Sequence, residues 1–348
     1  MPAHRRRSLD ALAFEHGASY DSYVVTGGGY EYFWSADERG VVAFARRGRY
    51  VNVVGRFLAP DGKKAALLDE LMAFARERSF VVSFFNMAEA DLPLLQSRGF
   101  QVTRLGEEPI IPLAGRTWEG GAFSWVRRQE SFCTRRGVVL SEERAAGDEV
   151  VAVARLGLAG KLQRDELRVF HGQLDRGDLG RRRLFVARSE GGGGRIEGFV
   201  LCNPCRGGRE WALEMFRHRP DAVRGVVPFA MLQIMRRLAA EGVERVSLCL
   251  VPAHNVREPL PGDSRLARWG LEAGSRLAGR IYNTRGLFHF KSRFRPELEP
   301  RYVCVWPRAS LGSIWAFLRL WGVLDSRLPQ GPEAPRWALR GCGSSARG

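Results

Sequence analysis

Short apolar stretches separated by turn residues follow one another between residues 30 and 55, and this pattern predicts β-strands. Three such stretches lie at 30–35, 41–46 and 50–55, with glycine-rich or charged turns between them. The spacing becomes helical at 63–78, where leucine, methionine and alanine recur on one face of a predicted helix. A continuous apolar run at 80–85 then predicts a buried strand.

The same order of elements recurs in the second half of the chain. A short helix at 88–97 and strands up to Leu113 complete the first half, and a helix at 118–137 with a basic face links the halves. The second half is predicted to contain helices at 160–175, 226–241 and 264–278 and strands at 184–188, 196–202, 210–216, 243–251 and 302–306. This order predicts an α+β protein of two similar units, 20–117 and 138–306, each a mixed sheet flanked by helices.

The segment after residue 306 differs in composition from both units. Residues 311–324 are rich in tryptophan, phenylalanine and leucine and carry one charge, so they predict a short amphipathic helix. Such a helix suits the headgroup boundary of a membrane, or it packs back onto the protein, and both interpretations stay open. The composition of residues 329–348 predicts disorder.

The chain is strongly basic, with a net charge of +16 from 54 basic and 38 acidic residues. This balance suits an anionic partner such as nucleic acid, a membrane surface or a phosphorylated substrate. The alternative is that an arginine-rich composition reflects a GC-rich genome and says nothing about partners.

The six cysteines are scattered, and only Cys202 and Cys205 are closely spaced. A zinc site needs a second pair of ligands, and neither cysteines nor histidines supply one, so we expect no metal. The cysteines show no pattern of disulfide pairs, and Cys249 and Cys304 lie in apolar runs. We therefore expect the protein in the reducing cytoplasm. The basic N-terminus lacks the apolar region of a signal peptide, and no run is long enough to predict a membrane span.

A basic loop precedes the predicted helix at 226–241. It contains Arg217, Arg219, Arg224 and Gly225. Because free backbone N–H groups at a helix N-terminus attract anions, and glycine permits close approach, this loop is a candidate phosphate-binding site. The alternative is an ordinary polar surface loop.

Two charged side chains stand in otherwise apolar surroundings. Glu214 interrupts an apolar strand, where it could bind an ammonium group or act as a general base, or simply pair with Arg217 at the surface. Lys291 lies between Phe290 and Phe294, so its amine could meet a phosphate or a developing oxyanion, or reach solvent along an apolar surface.

The segment Ile281–Tyr302, in a region with seven basic and two acidic residues between Arg280 and Arg308, carries the most distinctive pattern. It resembles the C-terminal signature of the phosphatidylglycerol lysyltransferase family, approximately YNFxGLxxFKxKFxPxWExRY. Glu214–Arg217 resembles the D-L-M-R of that family, and Val246–Pro252 resembles its L-S-L-G-x-x-P. The resemblance covers about residues 20–306 and is specific only over 281–302.

The resemblance implies two tandem GNAT-like units, with the active site mainly in the second, and transfer of an amino acid from aminoacyl-tRNA to a lipid hydroxyl without a cofactor. Aminoacyl-tRNA and an acidic phospholipid would be the partners, at the inner face of the membrane. It implies that Lys291 meets the tRNA phosphate or the oxyanion, that Glu214 binds the α-ammonium of the donor or deprotonates the hydroxyl, and that Arg217 positions a phosphate. Substrate binding is expected of Arg219, Arg224, Gly225, Tyr282, Asn283, Arg293 and Arg301.

Three departures from the family pattern keep alternatives open. Glu214 replaces the aspartate, Leu298 replaces the tryptophan, and the multi-span flippase portion of the full-length enzymes has no counterpart, so we expect no lipid flipping. An acyl-CoA-dependent or non-lipid acyltransferase and a non-catalytic protein that binds anionic membranes are the alternatives. The donated amino acid, the acceptor lipid and the oligomeric state are not predicted.

Overall fold

A computed structural model describes residues 1–159, 174, 177–192, 194–256, 260, 262–278 and 284–320. Its helices are α1 Ala3–His16, α2 Lys64–Glu77, α3 Leu92–Gln96, α4 Ser124–Arg135, α5 Asp148–Ala159, α6 Val226–Ala240, α7 Arg265–Ala278, α8 Thr284–Ser292 and α9 Leu311–Leu320. Its strands are β1 Glu31–Trp34, β2 Val41–Arg47, β3 Tyr50–Leu58, β4 Val81–Met87, β5 Gln101–Pro112, β6 Val138–Glu143, β7 Ala145–Ala146, β8 Gly177–Asp178, β9 Arg183–Ser189, β10 Arg195–Cys205, β11 Glu210–His218, β12 Arg245–Ser247, β13 Val251–Pro252 and β14 Glu297–Trp306.

One mixed sheet of twelve strands forms the centre of the molecule. Eleven strands follow the order β1-β2-β3-β4-β14-β5-β12-β11-β10-β9-β6, and β13 pairs with β5 beside this path. The pairs β3–β4 and β11–β12 are parallel, and the other pairs in this sheet are antiparallel. The last strand, β14, lies between β4 and β5, so the end of the second predicted unit shares a sheet with the first. The boundaries between the predicted units stay a prediction.

Helices cover both faces of this sheet, which confirms the predicted α+β class. In the first half, α2 buries Leu67, Leu68, Leu71, Met72 and Ala75, each at most 1% exposed, as its apolar spacing predicts. Core residues of α1 pack on the opposite face of the same strands. In the second half, α4 and α6 pack on one face and α5 on the other.

The prediction of one continuous strand over 243–251 is wrong. The apolar run there is divided into β12 and β13, because Cys249 takes a positive φ of 65° that a strand cannot accommodate. The hydroxyl of Ser247 accepts the backbone N–H of Cys249 at 2.9 Å, which stabilises this bend.

Helices α5 and α8 were not predicted from the pattern of apolar positions. In α8, Gly286 and several basic and aromatic residues obscure the helical period. The helix predicted at 160–175 falls almost entirely outside the described residues, as do residues 329–348, for which disorder is predicted.

Helix α9 packs back onto the sheet through one face only. Ser313, Ala316 and Leu320 are buried, and the ring of Phe317 stacks on Phe85 of β4 with centroids 4.4 Å apart. The opposite face exposes Leu311 and Trp315 to solvent. Among the helices of the described ranges, none has the length and apolar composition needed to cross a bilayer.

Candidate functional site

The neighbouring parallel strands β11 and β12 part after three residue pairs. Glu210, Trp211 and Ala212 pair with Arg245, Val246 and Ser247 of β12, which also pairs with β5. After the bend at Cys249, β13 continues the pairing with β5. Beyond the parting, the thiol of Cys249 still lies 3.5 Å from the carbonyl oxygen of Leu213. A parting beyond the carboxyl ends of parallel strands leaves a crevice in the sheet, which is where open α/β sheets place their ligands.

Glu214 lies at a β-bulge beside this crevice. Leu213 pairs with Cys202 and Met215 pairs with Leu201, so Glu214 is the extra residue between them. A bulge turns a side chain away from the regular alternation of the strand. The Glu214 side chain is almost fully buried, with 4% of the residue exposed.

The negative charge of Glu214 contributes to raising the pKa of groups from both halves of the chain. Burial is the main reason that the pKa of Tyr30 is raised well above its ordinary value, and Tyr32, Asp21 and Glu214 add to it. The pKa of the Cys249 thiol is raised chiefly by burial as well, with a contribution from Glu214. Glu214 therefore lies where the N-terminal segment, β11 and the bend at Cys249 come together.

Lys291 of α8 reaches the same crevice from the other side. Its Nζ donates hydrogen bonds to the carbonyl oxygens of Cys249 at 2.9 Å and Leu250 at 3.3 Å. The residue is 3% exposed. Burial lowers the pKa of Lys291 to about 8, because the ammonium loses its hydration, and the charges of Cys249 and Glu108 oppose this shift.

Aromatic contacts hold α8 across the crevice. The ring of Phe290 lies 5.9 Å from Phe216 of β11 and 6.4 Å from Trp125 of α4, measured between centroids. It also contacts Phe294 edge-on at 5.8 Å. Since Phe290 precedes Lys291, these contacts determine where the lysine enters the sheet.

A histidine–carboxylate pair at the rim of the crevice was not predicted from sequence. His254 Nδ1 lies 2.8 Å from Glu107 Oε2, and Asn255 donates to the other carboxylate oxygen at 2.9 Å. The imidazole stacks on Phe288 of α8 with centroids 3.8 Å apart. A search for metal-ligand spacing among the histidines could not have found it, because Glu107 and His254 are distant in the chain.

Of the basic loop residues, Arg217 is the one nearest to Glu214 in β11. Its Nη1 donates to the carbonyl oxygen of Phe216 at 3.0 Å, and its buried Nε makes no hydrogen bond within the described part of the chain. Arg219 is paired with Asp221 at 3.4 Å, which neutralises part of the charge of the loop. Arg224 is exposed.

Gly225 has a packing role at the start of α6. It has a φ of 86°, and a Cβ there would lie 2.5 Å from Gln129 Oε1 of α4. Glycine is therefore needed for the left-handed conformation and for the close approach of α4. The predicted binding of an anion by Arg219, Arg224 and Gly225 stays a prediction.

Arg301 lies in a buried network of ion pairs that borders the bend at Cys249, because its partner Glu108 also accepts the hydroxyl of Ser247. Its Nε donates to Glu108 at 2.6 Å and its Nη2 to Glu299 at 2.7 Å, and 5% of the residue is exposed. Burial tends to raise the pKa of Glu108, but Arg301 and Arg56 outweigh it and lower that pKa. This surrounding favours a structural role for Arg301.

The remaining predicted residues belong to the signature around α8. Arg293 is exposed and lies over the ring of Trp125 at 5.6 Å. Tyr282 and Asn283 lie outside the described residues. The structure thus brings Glu214 and Lys291 to one crevice, with Arg217 in the same strand as Glu214, and places Arg301 in an ion-pair network beside the bend. The predicted part of Arg301 in substrate binding stays a prediction.

Comparisons with known proteins agree on one family. The family described as "Phosphatidylglycerol lysyltransferase, C-terminal" matches residues 10–305. A phosphatidylglycerol lysyltransferase of Bacillus subtilis (strain 168) is 22% identical over 321 residues, which cover 89% of this chain and 36% of that protein. The chain therefore spans about a third of the length of this relative.

Two solved structures have the same fold. The structure of L-PGS from Bacillus licheniformis superposes with a TM-score of 0.76 at 19% identity, covering 90% of this chain and 95% of that one. A structure from Agrobacterium fabrum, named as the C-terminal domain of a lysylphosphatidylglycerol synthetase, has a TM-score of 0.75 at 21% identity, covering 91% and 95%. The resemblance found in the sequence and the predicted fold are both confirmed.

Proposed function

This chain belongs to the phosphatidylglycerol lysyltransferase C-terminal family, and from that premise we propose that it transfers an amino acid from aminoacyl-tRNA to the hydroxyl of an acidic phospholipid such as phosphatidylglycerol. The observation that carries the proposal is the placement of a buried ammonium, Lys291, and a buried carboxylate, Glu214, around one crevice of the sheet. Burial strengthens the interaction of both charges with a substrate, because little water is present to screen them.

The reaction exchanges one ester for another. The acceptor hydroxyl attacks the aminoacyl carbonyl, a new C–O bond forms, and a tetrahedral oxyanion develops. Collapse of this intermediate breaks the bond to the tRNA ribose oxygen, which takes up the proton lost by the acceptor. No other reactant is needed.

Lys291 is suited to stabilise the oxyanion. An ammonium has three N–H donors, and two of those on Lys291 are directed at the carbonyl oxygens of Cys249 and Leu250. Among the described residues the third has no acceptor, so it can donate to the developing oxyanion. Because the two backbone bonds fix the position of the nitrogen, little reorganisation is needed when the charge forms.

Glu214 is suited to bind the α-ammonium of the aminoacyl group. Its carboxylate is buried at a bulge, where its position is determined by two paired strands. A buried charge pair of this kind orients the carbonyl relative to Lys291. Arg217 lies three residues further along β11 and is suited to hold a phosphate of either substrate.

Association with the membrane surface is part of the proposal. Trp269 of α7 is 60% exposed, and Leu311 and Trp315 of α9 are 67% and 47% exposed. The two helices pack together, since a Cβ on Gly270 would lie 2.9 Å from Ile314. Exposed tryptophan and leucine on neighbouring helices suit the headgroup region of a bilayer.

The test is transfer of label to lipid. The protein is incubated with phosphatidylglycerol vesicles, total tRNA, labelled amino acids and the matching synthetases, and the lipid is extracted. We expect label in the lipid, lost after ribonuclease treatment of the tRNA and lost in Lys291→Met and Glu214→Gln. Absence of label with every amino acid, from protein shown to be folded, would refute the proposal.

A further inference from the structure

Helix α4 carries alternating aromatic and basic side chains on its outer face. The four residues, which we call the α4 stripe, are Trp125, Arg128, Phe132 and Arg135. Their spacing of three, four and three residues places them along one side of a helix. Val126 and Cys133 point into the core and are fully buried. Arg128 and Arg135 are exposed, and the two rings are half-buried.

In the described part of the chain, no neighbouring acid neutralises the positive charge of the α4 stripe. Within the described ranges, neither Arg128 nor Arg135 forms an ion pair or hydrogen bond through its side chain. Glu130 is the one acidic residue in α4, and its carboxylate is bound by Arg236 and Gln233 of α6. Both guanidinium groups are therefore available to an anionic partner.

Further arginines extend the stripe at both ends. Arg293 lies over the ring of Trp125 at 5.6 Å, and Arg136 lies over Phe132 at 5.3 Å. The result is a basic surface with aromatic rings interleaved among the charges.

One end of the stripe reaches the crevice. Trp125 contacts Phe290 at 6.4 Å, and Phe290 directly precedes Lys291. Phe290 also contacts Phe216, which directly precedes Arg217. A linear polyanion bound along α4 would therefore bring its end to the two charged groups of the site.

We propose that the α4 stripe binds the phosphate backbone of the donor tRNA next to its aminoacylated 3′ end. This inference rests on the proposed function, since it assigns a surface to the proposed donor. Arginines interleaved with aromatic faces suit a nucleic acid, whose phosphates and bases alternate in the same way. The stripe is about 15 Å long, enough to follow several phosphates. A bilayer suits it less well, because the exposed apolar residues Trp269, Leu311 and Trp315 lie on other helices.

The first measurement is the affinity for uncharged tRNA as a function of salt, for the full chain and for Arg128→Ala/Arg135→Ala. We expect at least about tenfold weaker binding and a log–log salt slope smaller by about 1.5, because two phosphate contacts are lost. The matched control is Arg39→Ala/Arg47→Ala, two exposed arginines beside β1 and β2 at the far end of the sheet order. Equal loss in the control would overturn the inference, since it would mean that only net charge matters.

The second measurement compares two donors in the lipid transfer assay. With aminoacyl-tRNA, the double variant is expected to raise KM at least about tenfold with kcat unchanged. With a 3′-aminoacyl adenosine, which lacks the phosphates that the stripe would hold, it is expected to match the wild type. Equal loss with both donors, or a loss of vesicle binding with tRNA affinity intact, would overturn the inference. If the wild-type chain transfers from neither donor, the proposed function fails, whereas the salt-dependent tRNA affinity still decides the role of the stripe.

Discussion

The Nζ of Lys291 donates a hydrogen bond to the carbonyl oxygen of Cys249 at 2.9 Å, at the point where β11 and β12 part. One contact thus joins the helix of the family signature to the bend that opens the sheet. The two residues are 42 positions apart in the chain, and α8 reaches the bend by packing on β13.

Stability is expected to depend on pH through Lys291. Its pKa is about 8 in the folded protein, against an ordinary value of 10.5. Between these values the unfolded chain binds more protons, so the free energy of unfolding rises with pH. The cost of burying the ammonium is fully present below about pH 8. Relative to Lys291→Met, the wild type should gain about 2 kcal/mol between about pH 7 and about pH 9.5. Urea titrations of both proteins across this range measure the difference, and parallel curves would contradict the depressed pKa.

The transfer rate should fall as pH rises through about 8, because deprotonation removes the ammonium that stabilises the oxyanion. Initial rates at saturating substrate, corrected for spontaneous ester hydrolysis, give the profile. Lys291→Arg keeps its charge over the whole range, so any residual activity of that variant should lose this descending limb. A wild-type rate unchanged up to about pH 10 would exclude the charged lysine from the reaction.

Activity should depend on both the charge and the length of the Glu214 side chain at the bulge. Glu214→Gln removes the charge and should lower kcat/KM by about 10² or more, since a buried charged partner is lost. Glu214→Asp restores the aspartate of the family pattern but shortens the side chain by one methylene. Displacing the carboxylate by about 1 Å can lower the rate by about 10²-fold. Glu210→Gln, in the same strand but half-buried, is the matched control and should have little effect. Full activity in Glu214→Gln would remove this residue from the site.

Replacement of Arg301 should affect stability more than substrate binding. Arg301→Met leaves Glu108 buried beside Ser247 without its main partner, and breaking a buried pair costs about 3–5 kcal/mol. We expect a large fall in Tm, with KM unchanged in the protein that remains folded. Arg98→Met, which breaks the outer pair with Asp69, should change Tm far less. A raised KM with normal Tm would instead support the predicted role of Arg301 in substrate binding.

The exposed apolar residues of α7 and α9 should govern binding to vesicles. Trp269→Ser and Trp315→Ser are each expected to weaken binding to anionic vesicles about tenfold, because each side chain loses its burial in the interface. Val139→Ser, on exposed β6, serves as control. Sedimentation with phosphatidylglycerol vesicles measures binding independently of activity. Wild-type binding by a variant that carries both Trp269→Ser and Trp315→Ser would place the membrane contact elsewhere.

Local patterns in the sequence predicted many of the elements but not their pairing. The apolar spacing of α2 and the hairpins of β1 to β3 are visible in the sequence because side chains partition between solvent and core residue by residue. The same rule merged β12 and β13, since an apolar run does not reveal a positive φ at Cys249. It also missed α8, whose burial depends on aromatic partners in α4 and β11.

The sequence by itself determined the α+β class, the family and the candidacy of Glu214 and Lys291, because periodicity and a specific signature are local properties of the chain. Only the tertiary structure decided that Glu214 stands at a bulge, that Lys291 is buried against the bend at Cys249, and that Arg301 pairs with Glu108. Those outcomes depend on contacts between residues far apart in the chain. Burial and ion pairing are properties of such contacts, so the folded arrangement determines which charged residues meet a substrate and which hold the protein together.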